Sequence, residues 1–323
     1  MKRPIPLTIC LLGMLTAFSL LPSVVSSQQW TPITVNLPYG INGLSFPTPD
    51  TGFFVSNRGQ FGRSFNGGLK WEIFTIGDAI LEDVHFRTTQ LGYTCGRNGV
   101  VFFTTNAGRT WTKRAVPDTT CWLLSVYVCS ANDIVVTGSI RGKNTSIGVC
   151  YYSSDGGARW KKAEVSGIKF GEITRVDNKT LSFLSWGQRH VSTDCGKTWV
   201  TTTTGNGRPG RIAMINGKTG IMVGNEGWGA VSQNGGQTWD SVKMNTDADL
   251  TCMVMPSAKR AFVGGMFGTM LSTVDGGLSW TKEELPSKFD VFDIEQAGGY
   301  LIASGSAAFG GREGKLIRRK LSK

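Results

Sequence analysis

Four carboxylates are the residues of this chain whose type could support acid–base catalysis. Asp83, Glu172, Glu226 and Asp290 lie within a repeating sequence unit. Two carboxyl groups that face each other about 5–10 Å apart can cleave a glycosidic bond, one as the acid and the other as the base or nucleophile. The sequence does not bring any two of them face to face. A glycoside hydrolase is therefore an alternative here, and we expect no enzyme activity.

A group of basic and aromatic residues could bind an anionic partner. The chain has a net charge of +11, and only two of its residues are histidines. Such a surface attracts acidic peptides, sulfated glycans or anionic headgroups, and salt weakens the attraction. No nucleic-acid-binding motif is present, so we do not expect a nucleic-acid partner. The candidate binding residues are Arg175, Trp186, Arg189, His190, Arg208, Arg211 and Trp228.

The cysteines and two asparagines bear on modification rather than on catalysis. No CxxC pair occurs, so we expect neither a metal site nor another cofactor. Cys121, Cys129 and Cys150 flank an insertion near residues 141–148, which predicts a disulfide within that unit. Asn144 and Asn178 each begin an N-glycosylation sequon. The six candidate disulfide cysteines are Cys95, Cys121, Cys129, Cys150, Cys195 and Cys252, and their pairing stays open among fifteen connectivities.

The N-terminus has the pattern of an export signal. Lys2 and Arg3 precede an apolar run from Leu7 to Leu21, and small residues lead up to Ser27. We expect residues 1–27 to be a signal peptide, which leaves residues 28–323 as one domain and lowers the charge from +11 to +9. No other stretch is long and apolar enough to span a membrane. The mature protein is therefore expected to be secreted or extracytoplasmic.

Internal repetition is the strongest signal in the sequence. The pattern [ST]-x-[DN]-x-G-x-x-W occurs six times, with steps of 40, 49, 39, 40 and 41 residues between successive tryptophans. An Asp or Asn at the third position can hold a turn by accepting backbone N–H groups, and the tryptophan can bury its ring against the turn. The pattern resembles the Asp-box of β-propeller blades. Its acidic or amide residues are Asn66, Asn106, Asp155, Asp194, Asn234 and Asp275.

A second motif precedes the boxes and completes a four-stranded unit. It consists of a strand, a glycine-containing turn and a second strand, as in Gly92–Val100 and Thr219–Gly227. With one further strand upstream, a unit of about 40 residues has the size of a propeller blade. We therefore predict an all-β, seven-bladed propeller. Its blades lie roughly at 40–74, 80–114, 122–163, 170–203, 209–243, 250–284, and 289–320 plus 30–36.

The seventh blade is predicted to use both ends of the chain. Residues 289–320 supply three strands and no box, while Trp30 and the residues after it read like the segment that follows a box. Pairing of the terminal strands removes the open sheet edges. Deletion of residues 28–36 is therefore expected to unfold the protein, although we expect no core residue to be lost with them.

The regular boxes and the Gly-x-x-Gly turns resemble the photosystem II stability/assembly factor family and its non-photosynthetic Asp-box (BNR) repeat relatives. The resemblance covers essentially the whole mature chain. It implies a monomeric, cofactor-free scaffold that binds a protein partner, such as a membrane-protein precursor, and a thylakoid lumen location if the photosystem role holds. It also implies an arginine-rich docking surface on the fourth and fifth blades. Here Arg211 matches one arginine of that surface and Arg208 stands near another, whereas Trp186, in the stretch that ends with Arg189 and His190, stands where the family has arginine. The family's docking surface is therefore only partly present.

Two other functions remain open at this point. Sialidase-like glycoside hydrolases also carry Asp-boxes, and exposed tryptophans suit a lectin that stacks sugar rings. Trp122, Trp186 and Trp228 stand at unrelated positions in their blades, so no repeated sugar pocket is visible. We favour an exported, non-catalytic scaffold that binds a protein partner.

Overall fold

Seven four-stranded antiparallel sheets make up the protein. The computed structural model describes residues 29–141, 146–165, 171–177, 180–185, 187–204, 209–307 and 312–321. The predicted signal peptide, Asn144, Asn178, Trp186 and Arg208 lie outside these ranges. Within them the secondary structure is β-strand, apart from two short 3-10 turns at Asn225–Gly227 and Met266–Gly268. The predicted seven-bladed propeller is confirmed.

The strands follow one another in chain order within each blade. They are β1 (Thr31–Ile33), β2 (Ile41–Ser45), β3 (Gly52–Ser56), β4 (Gln60–Ser64), β5 (Glu72–Thr75), β6 (Leu81–Phe86), β7 (Gly92–Gly96), β8 (Val100–Thr104), β9 (Thr112–Ala115), β10 (Cys121–Val128), β11 (Ile134–Arg141), β12 (Ser146–Ser153), β13 (Lys161–Lys162), β14 (Thr174–Arg175), β15 (Leu181–Ser185), β16 (Gln188–Ser192), β17 (Val200–Thr203), β18 (Pro209–Ile215), β19 (Thr219–Gly224), β20 (Trp228–Ser232), β21 (Asp240–Lys243), β22 (Leu250–Val254), β23 (Ala261–Gly265), β24 (Met270–Thr273), β25 (Thr281–Lys282), β26 (Phe289–Ala297), β27 (Tyr300–Ala307) and β28 (Gly314–Lys320). Blades 1 to 6 take β2–β5, β6–β9, β10–β13, β14–β17, β18–β21 and β22–β25, and blade 7 takes β26, β27, β28 and β1.

Blade 7 is closed by the two ends of the chain, as predicted. β1 pairs antiparallel with β28, and Thr31 lies opposite Arg318. Trp30 is buried and packs edge-on against Phe262 of blade 6, with 6.4 Å between ring centroids. It thereby supplies the tryptophan of the missing seventh box. Trp30 and Ile33 both belong to the core, so the expectation that this segment carries no core residue was wrong.

The six boxes form nearly identical turns. In each, the Asp or Asn side chain accepts a hydrogen bond from the backbone N–H four residues later, at 2.8–3.0 Å. The Ser or Thr hydroxyl at the start of each box accepts the N–H of the glycine at the fifth box position. These bonds satisfy the backbone groups that a tight turn leaves unpaired. The box side chains therefore build the turn itself.

The glycine at the fifth position of each box packs on the preceding blade. Gly108 of blade 2 has a φ of 73°, and a Cβ there would lie 2.4 Å from the Phe61 ring of blade 1. Gly196 of blade 4 meets Val135 of blade 3 at the same calculated distance. The boxes therefore join neighbouring blades as well as turning the chain.

Gly108→Ala is expected to destabilise the protein by about 2–4 kcal/mol, because it combines overpacking against Phe61 with a left-handed backbone. The change in the free energy of unfolding can be measured by urea denaturation. Gly299→Ala is the matched control, since nothing lies within 4 Å of a Cβ at Gly299. Equal losses in the two variants would contradict the packing role.

Blade 3 contains the longest hairpin between a second and a third strand in blades 1 to 6. β11 and β12 each have eight residues, whereas the corresponding strands of blade 2, β7 and β8, have five. Pairing continues from Ile134 with Ser153 to Arg141 with Ser146. The predicted insertion therefore lengthens two paired strands.

Candidate binding site on the box face

The strand order gives the propeller two different ends. Consecutive strands of a blade are antiparallel, so the first and third turns lie at one end and the second turn at the other. We call the end with the six boxes the box face. The first strands of neighbouring blades contact one another around the ring, as β2 does with β6 and β26, and they line the axis.

Polar side chains on the axis bind one blade to the next. Asp83 Oδ2 accepts the Val126 N–H at 2.9 Å, and Asp293 Oδ2 accepts the Leu44 N–H at 2.7 Å. Ser125 Oγ accepts the N–H of Ile173 in the same manner. In each case the acceptor belongs to one first strand and the donor to the chain of the next blade. These bonds satisfy backbone groups left unpaired where the axis strands splay apart.

Three of the four carboxylates singled out by sequence have structural contacts, namely Asp83, Glu172 and Asp290. Asp83 accepts three hydrogen bonds, from Ser125, Val126 and its neighbour Val84. Glu172 forms an ion pair with Arg211 at 2.5 Å, and Asp290 accepts the N–H of Phe267. Glu226 lies in an exposed 3-10 turn of blade 5 with a φ of 56°. Asp83 and Glu172 are close enough for charge repulsion, but the oxygens of Asp83 are already engaged.

Two further carboxylates, which sequence analysis missed, share the axis with Asp83. Burial raises the pKa of Asp83 to about 7 and that of Glu295 to about 8, and repulsion between the carboxylates adds to both shifts. Burial also raises the pKa of Asp293 well above its usual range. Alignment of Leu81-Glu-Asp83 with Val291-Phe-Asp293 would have revealed the shared position, because both strands have a register shift just before the aspartate.

The predicted basic patch is not a single surface. Arg189 is buried, and its Nε donates to Ser182 Oγ at 3.2 Å. His190 is fully buried, stacks on Phe183, and has its pKa lowered to about 4 by burial. Their exposure was therefore predicted wrongly. Both faces of β16 are covered by neighbouring blades, so alternation along this strand does not produce a solvent-facing side.

The other patch residues are divided between the two ends of the propeller. Arg211 and Trp228 lie towards the end opposite the box face, at the starts of β18 and β20. Arg175 ends β14 and is exposed at the box face. Of the predicted binding residues that the structure describes, Arg175 therefore lies alone on that face.

Arg175 lines a cavity of about 650 Å³ on the box face, between blades 2, 3 and 4. Arg87, Tyr127 and Lys197 also line it. Lys197 pairs with Asp133 at 2.9 Å, whereas Arg87 is exposed and makes no ion pair with any described residue. The Tyr127 ring stacks on His85 with 4.3 Å between centroids. Three aspartates, Asp133, Asp177 and Asp194, line it as well, so the cavity combines side chains of both charges with an aromatic floor, and Arg87 is a cation in it without an ion pair to a described residue.

The pKa of His85 is affected by the arginines that line this cavity. Its pKa is lowered to about 4, first by burial and then by the positive charges of Arg87 and Arg175. His85 Nδ1 accepts the N–H of Val128 at 3.1 Å. His85 is therefore neutral at physiological pH, and the positive charge of the site comes from the arginines.

A disulfide forms one wall of the cavity. Cys129 in the first turn of blade 3 bonds Cys195 in the box of blade 4. Cys195 has a φ of 59°, at a box position where the other blades have glycine or alanine. The predicted disulfide within blade 3 was wrong, because Cys121 and Cys150 pack into separate cores. The remaining described cysteines, all buried and unbonded, are Cys95, Cys121, Cys150 and Cys252.

Comparison with known proteins identifies the type of propeller. The family described as "Photosynthesis system II assembly factor YCF48" matches residues 22–181. "Photosystem II assembly lipoprotein Ycf48" of Synechococcus sp. (strain CC9902) is 22% identical over 321 residues, which cover 91% of this chain and 89% of that protein. The chain is a propeller of the photosystem II assembly-factor type.

Solved structures support the same fold for this assembly-factor-type propeller. The structure titled "YCF48 bound to D1 peptide" is 17% identical, with a TM-score of 0.71, and the match covers 91% of this chain and 97% of that one. YCF48 from Cyanidioschyzon merolae is 15% identical, with a TM-score of 0.70 and coverage of 91% and 98%. At these identities the likeness shows the fold.

The residues that the structure describes contain no group of three or more His, Cys, Asp or Glu residues arranged to hold a metal ion. In the same residues, no helix has the length and apolar character needed to cross a membrane.

Proposed function

We propose that this protein is an exported, non-catalytic scaffold that binds an acidic segment of a partner protein during membrane-protein assembly. The observation that carries the proposal is Arg87, an exposed cation in the lining of the box-face cavity that makes no ion pair with a described residue, whereas Lys197 in the same lining is paired with Asp133. A cavity of about 650 Å³ accommodates a few side chains of a bound segment. Support also comes from the assembly-factor relatives, one of which is titled as bound to a D1 peptide.

Charge is distributed in a way that favours an acidic partner at this face. The aspartates of the boxes are occupied within their own turns, as Asp155 is by Arg159 and Asp275 by Ser279. The turns of the box face present exposed cations, namely Lys70, Arg87, Arg109, Arg159, Lys197, Lys218 and Lys259. Turns and connections at the other end present acids, among them Asp78, Glu164, Glu226, Asp247 and Glu284. This polarity would orient an incoming acidic chain towards the box face.

The contacts of the carboxylates near the propeller axis also favour binding over catalysis. Asp83, Glu172 and Asp290 are each used in contacts that join blades or pair charges. A hydrolase needs a carboxylate that is free to exchange a proton with substrate. The proposal therefore assigns these groups to stability and the cavity to recognition.

Arg87→Ala tests the proposal in the full chain. A labelled D1 peptide is the probe, and fluorescence anisotropy measures its affinity. Loss of Arg87 is expected to weaken binding about tenfold, since a charge-assisted pair with a carboxylate contributes about 1.5 kcal/mol. Added salt should weaken wild-type binding as well.

Arg109→Ala is the control, because Arg109 is exposed on the same face and lies outside the cavity lining. It should change the affinity by less than about twofold. Absence of saturable binding would contradict a D1-like partner. Equal losses in both variants would contradict the cavity as the binding site and leave only a diffuse basic surface.

A further inference from the structure

Two of the six boxes differ from the rest at their tips. The second and sixth positions are Phe65 and Leu69 in blade 1, and Val274 and Leu278 in blade 6. These four side chains are exposed to solvent by 53%, 52%, 69% and 62%. Every other box has at least one polar residue at these positions; the pairs are Thr105 and Arg109, Ser154 and Ala158, Thr193 and Lys197, and Gln233 and Gln237. Apolar tips are therefore confined to two blades.

Those two blades flank the place where the chain enters and leaves the propeller. β28 ends at Lys320 and β1 begins at Thr31, at the position that a box occupies in the other blades. Both ends therefore lie at the box face, in blade 7, between the apolar boxes of blades 6 and 1. The segment before Gln29 contains the apolar run from Leu7 to Leu21 and joins the propeller here.

The tips are rigid and lie beside cations. Asn66 and Asp275 hold the two turns through their hydrogen bonds to Lys70 and Ser279. Lys70 lies in the box of blade 1, and Lys259 lies in the neighbouring first turn of blade 6. The Arg63 guanidinium lies over the Phe65 ring, 5.6 Å from its centroid. Three exposed acids lie nearby: Asp50 in the first turn of blade 1, Glu72, which pairs with Arg63 at 2.8 Å, and Asp275, whose oxygens accept hydrogen bonds within its own box. Lys70 and Lys259 are therefore the cations left to face a headgroup. Apolar tips with flanking cations match an anionic lipid surface.

We propose that the boxes of blades 1 and 6 rest on a lipid bilayer that contains anionic headgroups, with Phe65, Leu69, Val274 and Leu278 at headgroup depth. The apolar N-terminal run brings this face to a membrane for as long as it is attached. Blades 3 and 4 lie on the other side of the ring from blade 7. The cavity between blades 2, 3 and 4 then stays open to a protein segment that emerges from the same bilayer. This inference does not depend on the proposed function.

The experiment maps which box touches lipid in the full chain. An environment-sensitive fluorophore is attached at Leu69→Cys or Leu278→Cys, each in a Cys10→Ser background. Ala158→Cys on the box of blade 3 is the control, because Ala158 is exposed at the same box position. The native free cysteines that the structure describes are buried, and the unsubstituted Cys10→Ser chain gives the background labelling. Vesicles of phosphatidylcholine and phosphatidylglycerol carry a headgroup-attached quencher.

Quenching at positions 69 and 278 is expected to exceed that at position 158 by at least about twofold. It should fall when phosphatidylglycerol is omitted, because the cations then lose their partners. Phe65→Thr with Val274→Gln, which installs residues found in the other boxes, should lower quenching at both labelled positions. Equal quenching at all three sites, or quenching at only one of positions 69 and 278, would overturn the proposed seating.

Discussion

Removal of residues 28–36 is expected to abolish folding of the full propeller. The deletion removes β1, which pairs with β28, and it removes Trp30 and Ile33 from the core. Loss of the Trp30 ring alone is expected to cost about 3–5 kcal/mol, a large part of the about 5–15 kcal/mol by which domains are stable. The exposed edge of β28 would then invite aggregation. Circular dichroism and size-exclusion chromatography measure the loss of folded monomer.

A permuted chain separates loss of the strand from loss of the chain end. In it, residues 28–36 follow Leu321 through a seven-residue linker copied from a box, and the chain begins at Leu37. It should fold as well as the wild type, since the two ends lie where the other blades have their box. Trp122→Ala, at a tryptophan that is 39% exposed, is the control for loss of an indole ring and should cost far less than Trp30→Ala. A folded deletion variant would refute closure by the N-terminal strand.

The stability of the protein is expected to fall as the pH rises from about 6.5 to 8. Asp83 and Glu295 have pKa values raised to about 7 and about 8 by burial, and burial raises the pKa of Asp293 well above its usual range. The folded state therefore holds protons that the unfolded chain releases above about pH 4. Stability from such groups is greatest at low pH and is lost as the pH rises through the folded pKa values.

The buried histidines act in the opposite direction at lower pH. The pKa values of His85 and His190 are lowered to about 4, so the unfolded chain binds more protons than the folded one between about pH 4 and 6.5. Their contribution rises with pH in that window and offsets part of the loss from the carboxylates. Above about pH 6.5 the carboxylates act alone, and we expect a loss of the order of 1–2 kcal/mol by pH 8.

Urea denaturation across pH 5–8.5 measures this dependence. Asp293→Asn and Glu295→Gln should each reduce the loss of stability as the pH rises, because each removes one titrating group from the axis. Glu172, paired with Arg211, also faces this cluster and should be left unchanged. Asp240→Asn, on the exposed strand β21, should show the same dependence of stability on pH as the wild type. A stability that stays level from pH 6.5 to 8 would show that these carboxylates are not held protonated in the fold.

Local chemistry explains what the sequence could predict about this fold. The boxes were readable because an Asn or Asp, a glycine and a tryptophan at fixed spacing form one turn with its own hydrogen bonds, as Asn66, Gly68 and Trp71 do. The closure was readable because Trp30 stands one repeat before Trp71. Each of these inferences needs only neighbours in the chain or the repeat length.

The candidate site was less readable because it depends on contacts between blades. Arg189 and His190 are residue types that predict a solvent-exposed patch. Both are buried, because neighbouring blades cover both faces of their strand. Cys129 and Cys195 are 66 residues apart, and no local pattern pairs them. Arg87 and Arg175 belong to different blades. They line the same cavity because the first strands of those blades end at the box face.

The closure of blade 7 also dictates the order in which the chain can fold. The hydrogen bond from Thr31 to the Arg318 carbonyl joins residues 287 positions apart, so β1 must wait unpaired until nearly the whole chain is available. Blades 1 to 6 each contain all four of their strands and can assemble in turn behind it. Because contacts of such separation close slowly, ring closure is the last and slowest step. Until then the chain is an open ring of blades with unpaired strand edges at both ends.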